Sequence, residues 1–176
     1  SLAIGFLEQD GLINLDDKIS KYFPEELKSQ PNENMRNQTI RHMLMMSTAI
    51  PVRYWLYPRI EDRVKFYFEN DTKQYRPSGT TFEYDSEGSF IMGALVERVT
   101  GKRLMEYLRE KCLDKIGFSK EAYTLTCPGG HSWGDSALIC TAQDLAKAAQ
   151  FTLKNGSWDG EQLLNADYVK KATSKQ

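Results

Sequence analysis

Two groups able to exchange protons or hold a polar substrate stand two positions apart, the Tyr84 phenol and the Ser86 hydroxyl. They close the stretch Pro77-Ser78-Gly79-Thr80-Thr81-Phe82-Glu83-Tyr84-Asp85-Ser86. Proline and glycine set a turn, a short extended piece follows, and Ser86 or Asp85 caps the helix after it. The turn thus delivers Tyr84 to the mouth of a helix. Both groups donate and accept hydrogen bonds. Each also has a plain structural reading, Tyr84 as a half-buried core tyrosine and Ser86 as an ordinary helix cap.

His42 and His131 are the two histidines. His42 stands among apolar helix residues and reads as structural. His131 stands in a glycine-rich loop with Trp133 and Asp135, where a site-lining role competes with a structural one. No H-x-H, H-x-x-x-H or C-x-x-C spacing occurs, so neither a metal nor a cofactor is expected. Cys112, Cys127 and Cys140 are odd in number and widely separated. Between residues 53 and 76, Arg53, Arg59, Arg63 and Arg76 alternate with Tyr54, Trp55, Tyr57, Phe66 and Tyr67. Such a mixture can stack bases. Glu61, Asp62, Glu69 and Asp71 dilute its charge, and the chain carries a net charge of -1, so nucleic acid is not expected as a partner.

The chain has 176 residues, 40% hydrophobic and 27% charged, enough for one domain with a core. No apolar run approaches the ~20 residues that cross a bilayer, so no transmembrane segment is expected.

The elements that must position these groups read as mostly helical. Residues 1 to 9 form the end of a helix that Gly11 stops. Asp16 caps a short helix that Pro24 closes, and residues 25 to 38 read as a polar surface loop. Thr39 caps a helix over Ile40 to Thr48, and Glu61 to Glu69 is a further short one. Phe90, Ile91, Ala94, Leu95 and Val99 give the helix from Glu87 to Thr100 an apolar face, ended by Gly101. Arg103 to Leu113 is amphipathic, and 119 to 136 is irregular. Thr141 and Asp144 make a capping box for a helix through Leu153. Leu163 to Ala172 is the last helix.

Five strings in this order resemble the serine hydrolases related to class C β-lactamases and DD-peptidases. They are Gly11-Leu12-Ile13-Asn14-Leu15-Asp16-Asp17-Lys18-Ile19, Thr39-Ile40-Arg41-His42-Met43-Leu44, the Pro77 to Ser86 turn, Gly93-Ala94-Leu95-Val96-Glu97-Arg98-Val99-Thr100-Gly101, and Thr141-Ala142-Gln143-Asp144-Leu145-Ala146-Lys147. The resemblance implies a serine that attacks a carbonyl, an acyl-enzyme that water hydrolyses, and a lysine and tyrosine that manage the proton. Tyr84 matches the family tyrosine. A phenol has a reference pKa of ~10, so acting as a base near neutrality requires a nearby positive charge. Ser86 stands where the family more often has asparagine, with a shorter side chain and fewer donors. Tyr54, Trp55 and Tyr57 border the substrate cleft in this reading, and His131 is a further candidate for lining it.

The family's other motifs are not in the chain. No lysine has a serine three residues before it, and K-T-G is absent. His131-Ser132-Trp133-Gly134 is one residue too long for H-x-G. The resemblance therefore implies a mainly α piece of the β-lactamase/transpeptidase-like α+β fold. Residues 1–176 are expected to be a single incomplete domain, a helical lobe with few short strands and the main antiparallel sheet largely missing. S-x-x-K is expected before residue 1 and the late strand after residue 176. The parent protein is expected to act on a β-lactam, amide, peptide or ester, and the isolated piece to be inactive and to self-associate. A non-catalytic helical binding module is the alternative. Origin reads as bacterial, with periplasmic, extracellular and cytoplasmic locations all open.

Overall fold

A computed structural model describes residues 1–49, 60–69 and 76–175. Helix α1 (Leu2–Gln9) buries Ala3, Ile4, Gly5, Phe6 and Leu7. Gly5 admits the Tyr168 ring, because a Cβ there would lie 2.3 Å from it. The Tyr168 hydroxyl donates to the Ser1 carbonyl at 2.8 Å. The first and last helical segments are thereby joined.

The chain from 19 to 36 differs from its polar appearance. A 3-10 turn, Ile19–Lys21, precedes α2 (Pro24–Leu27) and α3 (Glu33–Arg36). Pro24 opens α2 instead of closing a helix, because proline's fixed φ and missing N–H suit the first helical position. Leu27 and Met35 are buried, and Asn32 caps α3 through Asn34 N–H at 2.9 Å. Two apolar anchors and one good cap outweigh the polar composition.

Helix α4 (Ile40–Leu44) is shorter than its sequence suggests. Met46 takes φ +52, and that left-handed residue turns the chain out of the helix. Helix α5 (Arg63–Glu69) buries Val64, Tyr67 and Phe68. Helix α6 (Ser86–Thr100) is the central element, with Phe90, Ile91, Ala94, Leu95 and Val96 buried and α1, α4, α5 and α7 packed around it. Gly101 ends it at φ +69.

Helix α7 (Leu104–Leu108) runs into a π turn, Arg109–Leu113. The Arg109 guanidinium donates to the carbonyls of Ser119 and Ala122 at 2.8 and 2.7 Å, which fastens the following loop beneath the turn. The stretch read as irregular contains β1 (Tyr123–Thr124), paired antiparallel with β2 (Leu138–Ile139); Tyr123 faces Ile139 and Thr124 faces Leu138. Helix α8 (Ala142–Leu153) starts at the expected capping box. A hairpin follows, β3 (Ser157–Trp158) with β4 (Glu161–Gln162). Helix α9 (Ala166–Thr173) is capped by Asn165. Among the described residues the architecture is mainly helical with two small two-stranded sheets.

Candidate functional site

The Tyr84 turn rests on the exit of α4. Thr39 and His42 form a reciprocal cap: His42 N–H donates to Thr39 Oγ1 at 3.2 Å, and Thr39 N–H donates to His42 Nδ1 at 3.3 Å. Burial lowers the His42 pKa, in keeping with a neutral imidazole that accepts at Nδ1. His42 is thus structural, and its other face supports the turn. A Cβ on Gly79 would stand 2.7 Å from His42 Nε2, and Gly79 has φ +82. Glycine is required there for both reasons.

Past Met46 the chain runs beside residues 76–83. Arg76 N–H donates to Ala49 O at 3.1 Å, Gly79 N–H to Ser47 O at 2.7 Å, and Glu83 N–H to Met46 O at 2.9 Å. Arg76 adds Nε to Thr48 O at 3.1 Å and an ion pair with Glu83. Both sides of the turn are therefore fixed before the chain reaches Tyr84.

Tyr84 is 62% exposed, and its hydroxyl bonds to none of the described residues. It is not a core tyrosine. Asp85, not Ser86, caps α6: its Oδ1 accepts Gly88 N–H at 2.8 Å. Its Oδ2 accepts the Thr48 hydroxyl at 2.8 Å. Asp85 is only 3% exposed. Burial pushes its carboxyl pKa up, against the hydrogen bonds from Gly88 and Thr48 and the charge of Arg76. Ser86 is the first residue of α6, partly buried, and its hydroxyl likewise meets no described partner. Among the described residues the turn leaves the Tyr84 and Ser86 hydroxyls without a hydrogen-bond partner and uses the residue between them as the anchor.

His131 lies elsewhere along α6. Its Nδ1 is 2.8 Å from Glu97 Oε2, and its ring meets Phe90 edge-on at 6.3 Å. Glu97 is eleven residues beyond Ser86, about 16 Å of helix at 1.5 Å per residue. Glu97 Oε1 also accepts the Ser132 hydroxyl at 2.6 Å, Ser132 N–H at 3.2 Å and Leu104 N–H at 3.2 Å. Burial pushes this carboxyl up, yet the bonds from His131 and Ser132 hold it down at about 2. The cluster ties the 129–132 loop to α6 and to the start of α7. The structure does not join it to the Tyr84 turn by any hydrogen bond among the described residues.

Tyr54, Trp55 and Tyr57 lie outside the described residues. A cavity of about 500 Å³ opens between the first turn of α1, the helix α7 residues Leu104, Met105 and Leu108, and residues 133–138. Tyr84 and Ser86 are not among its lining residues. Sequence reasoning missed the Thr48 link and the Glu97 cluster. Their partners are far apart in sequence and leave no periodic signal; only the cap preference of Asp85 pointed to one half of the first.

The mainly helical architecture with two small two-stranded sheets is that of a fragment of the β-lactamase/transpeptidase-like fold. An octameric penicillin-binding protein homologue from Pyrococcus abyssi superposes with a TM-score of 0.74 at 22% identity, covering 97% of this chain and 45% of that one. D-amino acid amidase from Ochrobactrum anthropi SV3 gives 0.71 at 18% identity, covering 96% and 55%. In sequence, 6-aminohexanoate-dimer hydrolase of Paenarthrobacter ureafaciens is 28% identical over 88 residues, 50% of this chain and 22% of that protein. The chain belongs to the Beta-lactamase family, which it matches over residues 1–176. It spans about half the length of these solved structures, and its 88-residue match covers 22% of the hydrolase.

Proposed function

We propose that the chain is the helical lobe of a serine hydrolase that cleaves an amide, peptide, ester or β-lactam through an acyl-enzyme. The observation that carries this reading is Tyr84: exposed, without a hydrogen-bond partner among the described residues, and held at the entrance of α6 by a turn anchored on both sides. In this reading a serine outside the chain adds to the substrate carbonyl and its proton passes through Tyr84 to the leaving nitrogen or oxygen. Water then repeats the addition and frees the serine. The Ser86 hydroxyl contacts the substrate or the lysine that polarises Tyr84. Tyr54, Trp55 and Tyr57 shape the acyl pocket. The amide chemistry in the name of the D-amino acid amidase favours an amide.

The test is the full-length protein with nitrocefin, a nitrophenyl ester and a nitroanilide, as wild type and as Tyr84→Phe. The reading expects turnover of at least one substrate and its loss in the variant. The 176-residue chain alone should give background, since covalent catalysis needs the nucleophile; a Tyr84-dependent burst from it would contradict the proposal. A non-catalytic binding module is the second reading. Reading the codons before Ser1 separates the two.

A further inference from the structure

No side-chain hydrogen bond among the described residues holds Tyr84 in place. Its hydroxyl has no described partner and it is 62% exposed, and the described bonds that fix this stretch of chain are made by its two neighbours. Glu83 is held by its N–H on Met46 O and its ion pair with Arg76. Asp85 is held by both carboxyl oxygens, one on each side of the cleft between α6 and the 46–49 segment.

The use of an aspartate here goes beyond helix capping. Serine or asparagine caps a helix as well as aspartate does, without burying a charge. Only one oxygen of Asp85 serves the cap. The other takes the Thr48 hydroxyl, 37 residues away in sequence. Gly88 is matched to this arrangement, because a Cβ there would stand 2.6 Å from Asp85 Oδ2. The groups that face the carboxyl are Thr48 from the segment after α4, Arg76 from the turn, and the Glu87 and Gly88 N–H groups from α6. Arg76 also grips the Thr48 carbonyl at 3.1 Å, so Thr48 is held from both ends.

We infer that Asp85, through its bond to Thr48, is the positioning residue of Tyr84, fixing the phenol relative to α4 as well as to α6. The inference rests on the reading of Tyr84 as the proton-handling group. Glu83 N–H on Met46 O ties the residue before the tyrosine to the 46–49 segment, and the Thr48 bond ties the residue after it to the same segment; the cap alone would hold that second side only to α6. Displacement of a reacting group by about 1 Å costs on the order of 100-fold in rate, so loss of this bond is read in turnover, not in substrate binding.

Three variants of the full-length protein test this. Thr48→Val and Asp85→Ser each remove the link while keeping the cap. Asp85→Asn keeps the cap and offers an amide N–H to Thr48 Oγ1, which turns from donor to acceptor. Expected are kcat losses of roughly 10- to 100-fold in the first two, with KM within about twofold. Asp85→Asn is expected to recover kcat to within about threefold of wild type. Turnover is counted per active site titrated by the acyl-enzyme burst, so partial unfolding does not imitate the effect. If Thr48→Val and Asp85→Ser both turn over at the wild-type rate per titrated site, the positioning role is wrong while the reading of Tyr84 stands. If the wild-type protein forms no acyl-enzyme with any substrate, the reading of Tyr84 fails and this inference with it.

Discussion

His131 Nδ1 lies 2.8 Å from Glu97 Oε2, 34 residues away in sequence, and this contact pins a glycine-rich loop to the far end of α6. The carboxyl is the acceptor for four separate groups, the His131 ring, the Ser132 hydroxyl and N–H, and Leu104 N–H. Such a carboxylate stabilises the fold when it is ionised.

The first prediction follows from its pKa of about 2, against an ordinary 4.5. A depressed carboxyl contributes stability above its unfolded value and loses that contribution as pH falls through the folded value. The window is therefore pH 4.5 down to 2, and the contribution at neutral pH is on the order of 2 to 3 kcal/mol. Urea unfolding of the wild type should weaken across that window. Glu97→Gln should be less stable at pH 7 and show a flatter profile between pH 4.5 and 2. Equal slopes for the two proteins would reject the assignment.

Asp85 carries the opposite sign. Burial raises its pKa, so its ionisation opposes folding: the favourable state is present below the ordinary 3.8 and is lost as pH rises through the folded value. Asp85→Asn keeps a competent cap and no longer buries a charge. The variant should unfold at a higher urea concentration than wild type at pH 7, and the difference should vanish on acidification below 3.8. A variant less stable than wild type at pH 7 would show that the Arg76 and Thr48 interactions outweigh desolvation.

Helix stops and caps were legible in sequence because they are local. Gly101, the Thr141–Asp144 box and the Pro77–Gly79 turn each need only three or four neighbouring residues to be recognised. The segment from 24 to 36 was not legible: one buried leucine and one buried methionine decide its helices, and isolated anchors leave no periodicity. The β1–β2 pairing, with two residues per strand, is too short to alternate visibly. At the candidate site, the turn and its tyrosine could be read directly. The Thr48–Asp85 and Glu97–His131 bonds could not, because each joins polar residues more than 30 positions apart whose types suit solvent equally well.

Tyr84→Phe should separate stability from function. The hydroxyl removed has no described partner and stands in solvent, and surface changes of this kind usually stay within about 0.5 kcal/mol. The melting temperature of the 176-residue chain should therefore stay within a degree or two of wild type. On the proposed reading the same change removes a proton-transfer group from the full-length protein, and turnover should fall by roughly 100- to 10,000-fold. A marked loss of stability with turnover retained would make Tyr84 a structural residue instead.

The last prediction concerns association of the chain itself. Tyr123, Leu125 and Ile139 are each between 45% and 50% exposed. Tyr123 pairs directly with Ile139, and Leu125 follows Tyr123 by two, which places all three on one face of the β1–β2 ribbon. Among the described residues no third strand joins this ribbon, and an apolar face beside open edges favours pairing with another chain. Light scattering of the 176-residue chain should give a mass above 20.2 kDa that rises with concentration. Ile139→Lys places a charge at the centre of the face and should shift the population toward monomer without altering the helical circular dichroism. A monodisperse wild-type monomer at high concentration would show that the face is tolerated in water.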